Sequence, residues 1–127
     1  LAAELGVGSG IRFCGATSRV AAELGRLDVF VMATTPQEGF GIAIVEALAA
    51  GLPVIASNCG PCAEVLEGGR LGLLVPPGDA GALAAAMARL WCDTSLRQTL
   101  ARVGPEAARN RYSAPIMAAR YRTLLEA

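Results

Sequence analysis

The sequence predicts an α/β fold, a doubly wound sheet of parallel strands that gives way to α-helices at its C-terminal end. Three observations predict it. Nearly continuous apolar runs at Asp28–Met32, Pro53–Ser57 and Leu71–Val75 read as strands buried on both faces, because a strand with one wet face would alternate. Stretches of helical spacing lie between these runs, and alternating strands and helices build parallel sheets. Beyond Val75 the apolar residues recur at helical spacing only, so the strands end there.

In chain order, LAAELG at residues 1–6 reads as the end of a helix, with Gly6 as its C-cap. Ile11–Gly15 is a short strand. Ser18 is an N-cap for a helix through Leu27, with Val20, Leu24 and Leu27 on one face. The strand Asp28–Met32 leads into the loop ATTPQEGFG, and a helix follows from Gly41 to Ala50. Gly51 closes that helix at C′, and Pro53 prevents its continuation. After the strand Pro53–Ser57, Pro61 suits the first turn of a short helix through Leu66. Glu67 to Arg70 form a turn before the strand Leu71–Val75. Asp79 caps a helix whose Leu83, Met87, Leu90 and Trp91 form a stripe facing the sheet. Residues 94–108 make a helix carrying Leu96, Leu100 and Val103. Ser113 and Pro115 open a last helix carrying Met117, Tyr121, Leu124 and Leu125.

The 127 residues make one domain or part of one. A hydrophobic content of 54% and a mean hydropathy of +0.47 allow a filled core and argue against disorder. No apolar run approaches the roughly 18 residues of a membrane span. No signal peptide is visible and the chain starts without Met, in what reads as a helix end; a truncated piece of a longer protein is expected. Zero net charge gives no pull toward nucleic acid. Residues 1–93 hold five Arg against nine acids, whereas residues 94–127 hold six Arg against two. That basic end reads either as a solvated face or as a surface for anionic lipid. Histidine is absent, which excludes His-dependent nucleophilic and metal sites, and the Asp residues (28, 79, 93) form no Asp-x-Asp clamp. The four Cys, in a chain without secretory features, are expected reduced.

The chemistry concentrates in Asp28–Ser57, where Glu38 and Glu46 stand out in a largely apolar stretch. A carboxylate is costly to bury unpaired, so Glu46 in the helix GIAIVEALAAG asks for a partner. In α/β sheets ligands bind beyond the carboxyl ends of the strands, where the loop Ala33–Phe40 lies. Gly39 and Gly41 leave backbone amides bare, and the positive end of the following helix favours an anion. A carboxylate can take both hydroxyls of a vicinal diol. The pair thus suits a sugar nucleotide; the alternative is a Gly-rich turn with two structural glutamates paired to Arg.

Glu38-Gly39-Phe40-Gly41-Ile42-Ala43-Ile44-Val45-Glu46-Ala47, followed by Ala50-Gly51-Leu52-Pro53-Val54, resembles the C-terminal donor-binding domain of retaining GT-B glycosyltransferases, group 1 (family 4), whose hallmark is two Glu separated by seven residues. The likeness extends to DVFV before it, to Gly60-Pro61-x-x-Glu64-Val65, and to Gly72 through Asp79, and covers roughly residues 3–122. It implies a partial Rossmann-like sheet, the later strands of that domain, with the acceptor domain absent. It implies hexosyl transfer from a UDP- or GDP-linked sugar to a glycan or lipid-linked acceptor, without cofactor or metal. Glu38 would act on the donor sugar. Gly39, Phe40, Gly41 and Ile42 would hold the diphosphate and sugar hydroxyls, and Glu46 the ribose. The leaving phosphate would accept the acceptor's proton. The protein would be cytoplasmic, in peripheral contact with the inner face of the membrane.

Departures temper this. Before the first Glu the chain reads Ala33-Thr34-Thr35-Pro36-Gln37 in place of a Ser-containing block, and the family's Arg…Lys pair for the diphosphate is missing. The family's strand order, 3-2-1-4-5-6, would leave Ile11–Gly15 and Asp28–Met32 without neighbours. The isolated chain is therefore expected to be inactive and poorly stable, to dimerise, or to pair these two strands directly. A non-catalytic sugar-nucleotide-binding module is the alternative. A second is redox chemistry, since Cys59-Gly60-Pro61-Cys62 has the thioredoxin spacing, but only one strand and then helices follow it.

Overall fold

The run Val54–Ser57 forms the central strand β2, and all four residues are buried because helices cover both of its faces. The computed structural model describes residues 1–34 and 40–126. β1 (Phe30–Met32) and β3 (Leu73–Val75) flank β2, and both pair with it in parallel, giving the order β1-β2-β3. Phe30, Val31 and Met32 align with Val54, Ile55 and Ala56; Ile55, Ala56 and Ser57 align with Leu73, Leu74 and Val75. The α/β class and the positions of the three strand runs match expectation, but only β2 is buried on both faces: β1, at the edge of the described sheet, is half-buried with Val31 exposed, and in β3 only Val75 is buried.

The two-residue period of β2 divides the core. Val54 and Ala56 face one layer with Ile44, Ala47 and Leu48 of α2 (Ile42–Ala49), Cys62 and Val65 of α3 (Gly60–Val65), and Ala108 of α5 (Thr94–Tyr112). Ile55 faces the other, with Val75, Ala86 and Leu90 of α4 (Ala80–Cys92), and Leu100 of α5. Each of Ile44, Leu48, Ile55 and Leu90 is fully buried, which stabilises the fold by about 1.5–3 kcal/mol per side chain. α2 ends as read. The Gly51 N–H donates to Leu48 O and the Leu52 N–H to Ala47 O, with Gly51 at φ 75°, a conformation glycine adopts without a Cβ clash. α5 lies against α2 at Gly104, where a Cβ would come 3.1 Å from Leu48 O.

Several expectations are corrected. Ile11–Gly15 forms no strand, and Phe13 is 86% exposed. A strand needs a neighbour for its N–H and C=O groups, and this stretch has none among the described residues. It does not pair with β1, whose outer edge is likewise unpaired there. The helix expected from Ser18 is only α1 (Val20–Leu24), starting from Arg19, with Leu24 its one buried residue. On α4, Ala86 and Leu90 pack on the sheet, whereas Met87 and Trp91 are exposed and border a 570 Å³ cleft with Val29 and Val31 beside the β1 edge. α5 runs past residue 108 to Tyr112, because Leu100, Gly104, Ala108 and Tyr112 continue one face against the core. α6 (Ala114–Leu125) begins with Pro115 in its first turn, as read, but its expected stripe of Met117, Tyr121, Leu124 and Leu125 is exposed.

Candidate functional site

β1 delivers the chain to the carboxyl end of the sheet. There the Thr34 N–H donates to Ser57 Oγ at 2.9 Å, so the last residue of β2 holds the start of the loop. Ser57, at 2% exposure, is the one buried polar residue among the described residues. Glu38 and Gly39 lie outside the described residues. Phe40 is half-exposed, and the buried Gly41 begins α2 with φ 79° and ψ 41°. This left-handed geometry is open to glycine and strained for most other residues. The Ile44 N–H donates to Gly41 O at 2.9 Å. The Ile42 and Ala43 N–H groups precede the first intrahelical acceptor, and no side chain among the described residues caps them.

α4 and α5 begin differently. Asp79 Oδ1 accepts from the Ala82 N–H and Asp93 Oδ1 from the Leu96 N–H, each at 2.8 Å. Asp79 is thus the cap the sequence predicts, whereas α2, like α3 and α6, has no side-chain cap among the described residues.

Ile42 is 64% exposed beside that start. Glu46 also points to solvent, into a 480 Å³ groove between α1 and α2 lined by Val20, Ala21, Leu24, Gly25, Ala49 and Ala50. This corrects the reasoning behind Glu46. Ile44, Ala47 and Leu48 supply the buried face of α2, so the carboxylate carries no burial cost and needs no pairing cation. Cys59 and Cys62 are both buried in the core layer over β2, closed to an outside thiol or disulfide, which removes the basis for redox chemistry. Among the described residues no group of three or more His, Cys, Asp or Glu could hold a metal ion.

The sequence reading missed what lies behind Phe40. The Phe40 ring meets the Tyr112 ring edge to face, with centroids 5.7 Å apart and planes at 75°. The Arg111 guanidinium carbon sits 5.3 Å from the centre of the Tyr112 ring, and Arg111 Nη1 donates to Glu67 Oε1 at 2.8 Å. Arg70 Nε donates to Glu67 Oε2 at 2.6 Å. The Arg70 hydrogen bond holds the Glu67 carboxyl below its ordinary range, with Arg111 adding to it against the opposing effect of burial. Burial pushes the Tyr112 phenol up. Extending the α5 face by one further step of four, from Ala108 to Tyr112, would have found the ring; nothing in the local spacing points to its partner. For Ser57, a polar residue closing an otherwise apolar strand was a visible signal.

Comparison with known proteins agrees with this geometry. The family described as Glycosyl transferases group 1 matches residues 1–93. A phosphatidyl-myo-inositol mannosyltransferase of Mycobacterium leprae is 39% identical over 118 residues, 91% of this chain and 31% of its own. A GDP-mannose-dependent alpha-(1-6)-phosphatidylinositol monomannoside mannosyltransferase of Mycobacterium tuberculosis is 35% identical over 114 residues, 84% of this chain and 30% of its own. Among solved structures, HepE of Anabaena in complex with UDP and glucose superposes with a TM-score of 0.91 at 28% identity, covering 99% of this chain and 35% of HepE. The chain thus spans about a third of the length of these relatives. With the matched region running from the first residue through α4, and the fold shared across the whole length, the chain belongs to the glycosyl transferases of group 1.

Proposed function

We propose that this chain is the C-terminal part of the nucleotide-sugar-binding domain of a glycosyltransferase. The enzyme moves a hexosyl group from a UDP- or GDP-linked sugar to a glycan or lipid-linked acceptor, with retention of configuration and without a metal ion. The observation that carries the reading is the start of α2: Gly41 in the left-handed region, no capping side chain among the described residues, and exposed Phe40 and Ile42 on either side, at the carboxyl end of β1. The tuberculosis relative is named as GDP-mannose-dependent, and HepE was solved with UDP and glucose. Both support a nucleotide sugar as donor. The leprosy relative's name supports a glycolipid as acceptor.

As the sugar–phosphate bond breaks, negative charge grows on the departing diphosphate. Amides already oriented at a helix start stabilise that charge without reorganising. A phosphate oxygen then takes the acceptor hydroxyl's proton, while Glu38 orients the donor sugar. Glu46, open to the groove beside α1, takes the ribose hydroxyls. The reaction belongs on the cytoplasmic face of a membrane, where exposed Tyr121, Leu124 and Leu125 of α6, with Arg120 and Arg122, suit an anionic lipid surface.

Calorimetry on the full chain with UDP and GDP tests the reading. Glu46→Ala should weaken the preferred nucleoside diphosphate by about tenfold, the loss expected for hydrogen bonds to a charged acceptor. Unchanged affinity removes Glu46 from the ribose. In the full-length enzyme, Glu38→Ala should leave nucleoside diphosphate binding intact and abolish most sugar transfer; undiminished turnover sinks its role.

A further inference from the structure

The Gly41 backbone, on which the donor reading depends, has little in its own chemistry to hold it still. Glycine moves freely between left- and right-handed conformations, and the nearest atom to a hypothetical Gly41 Cβ is Ile44 Cδ1 at 3.4 Å, an ordinary contact. A set of donors that must be ordered on binding weakens the ligand it binds; one ordered beforehand does not. The structure contains a candidate for that prior ordering behind the loop, on a different element.

Phe40, the residue before Gly41, exposes 46% of its surface and meets Tyr112 edge to face. Tyr112 closes α5 and packs against the core layer under α2. Its neighbour Arg111 lies against the same ring and is fixed through Glu67, which also takes Arg70. Glu67 itself sits at φ 50°, alone among the described non-glycine residues in the left-handed region. Such a conformation persists where the surroundings hold it, and here two guanidinium groups do. A connected path therefore runs from Glu67 through Arg111 and Tyr112 to Phe40 and the start of α2. Among the described residues the buried Tyr112 hydroxyl has no partner, so the contact with Phe40 is made by the ring.

We infer that Tyr112 is a positioning residue for the donor diphosphate, holding the Phe40–Gly41 backbone through its ring; this rests on the donor-site reading above. On the donor-site reading the ribose sits by Glu46, in the groove on the α1 side of α2, so the effect of Tyr112 should fall on the phosphates beyond the first. A merely structural Tyr112 would alter melting temperature and all ligands alike. A positioning Tyr112 separates nucleoside diphosphates from monophosphates.

The experiment is calorimetry on the full chain with UDP, GDP, UMP and GMP, for wild type, Tyr112→Ala, Tyr112→Leu and Tyr112→Phe. Tyr112→Leu keeps apolar volume and carries the test if the alanine variant does not fold. The ratio of diphosphate to monophosphate affinity should fall three- to tenfold in Tyr112→Ala and Tyr112→Leu, about the worth of one edge-to-face ring pair. Tyr112→Phe should keep the wild-type ratio and melt at the same or a higher temperature, having lost an unpartnered buried hydroxyl. An unchanged ratio in the alanine and leucine variants overturns the inference, as does a phenylalanine variant that behaves like them. Wild-type protein that binds neither UDP nor GDP overturns the donor-site reading, and this inference with it.

Discussion

The start of α2 and the starts of α4 and α5 solve the same problem in opposite ways. Each helix opens with amides that have no intrahelical acceptor. α4 and α5 satisfy theirs with Asp79 and Asp93, each accepting at 2.8 Å. α2 leaves its own open behind a glycine. An aspartate there would complete the helix and occupy the place of an anion. On the proposed reading, what α2 forgoes in capping, about 1 kcal/mol, leaves room for a donor phosphate, with the Phe40–Tyr112 contact behind it.

Making α2 resemble its neighbours should break the contrast most severely. Gly41→Asp introduces a carboxylate at the proposed diphosphate site, and aspartate tolerates the left-handed region better than most residues. Like charges placed together cost several kcal/mol, so UDP or GDP affinity should fall by about two orders of magnitude with a modest change in melting temperature. Intact affinity, measured by calorimetry, would show that the α2 start binds no phosphate.

The reverse change is smaller. Asp79→Ala and Asp93→Ala should each cost about 1 kcal/mol, lowering the melting temperature by roughly 3–5 °C for a chain of this size, and leave nucleotide affinity untouched. A loss of nucleotide binding in either variant would mean that the capped helices also contribute to the site.

The smallest effect concerns the Glu67 anchor. Its folded-state pKa is depressed, chiefly by Arg70. The stabilisation from that pairing is therefore full above the ordinary glutamate range and lost as pH falls through about 4 and below. For a partly exposed pair it amounts to about 1 kcal/mol or less. Thermal melts of wild type and Glu67→Gln should differ at pH 7 and converge near pH 3; a gap that persists at pH 3 would assign Glu67 a role other than its charge.

How much of the site was legible depends on how far each interaction reaches along the chain. Gly41, Gly51 and Asp79 could be read directly, since caps and left-handed turns act within a few residues. Glu46 was found for a reason the structure withdraws: the helix stretch is apolar, yet its charge faces water because Ile44, Ala47 and Leu48 already fill the buried face. Ile11–Gly15 has the composition of a strand and lacks the neighbour that would make it one. Met87 and Trp91 kept helical spacing with the core residue Leu90 but fall to the side of α4 where β1 ends the sheet.

By itself, then, the sequence determined the alternation of strands and helices, the positions of β1, β2 and β3, the burial of β2, the glycine that opens α2 and the aspartate that opens α4. These follow from side-chain periodicity and from steric limits on single residues, which neighbours in sequence decide. Tertiary structure alone decided that Tyr112 stands behind Phe40, that Ser57 holds Thr34, and that Glu46 looks into a groove beside α1. Those contacts join distant elements across a packed core, and their geometry exists only after the sheet order and the placement of α5 over α2 have been set.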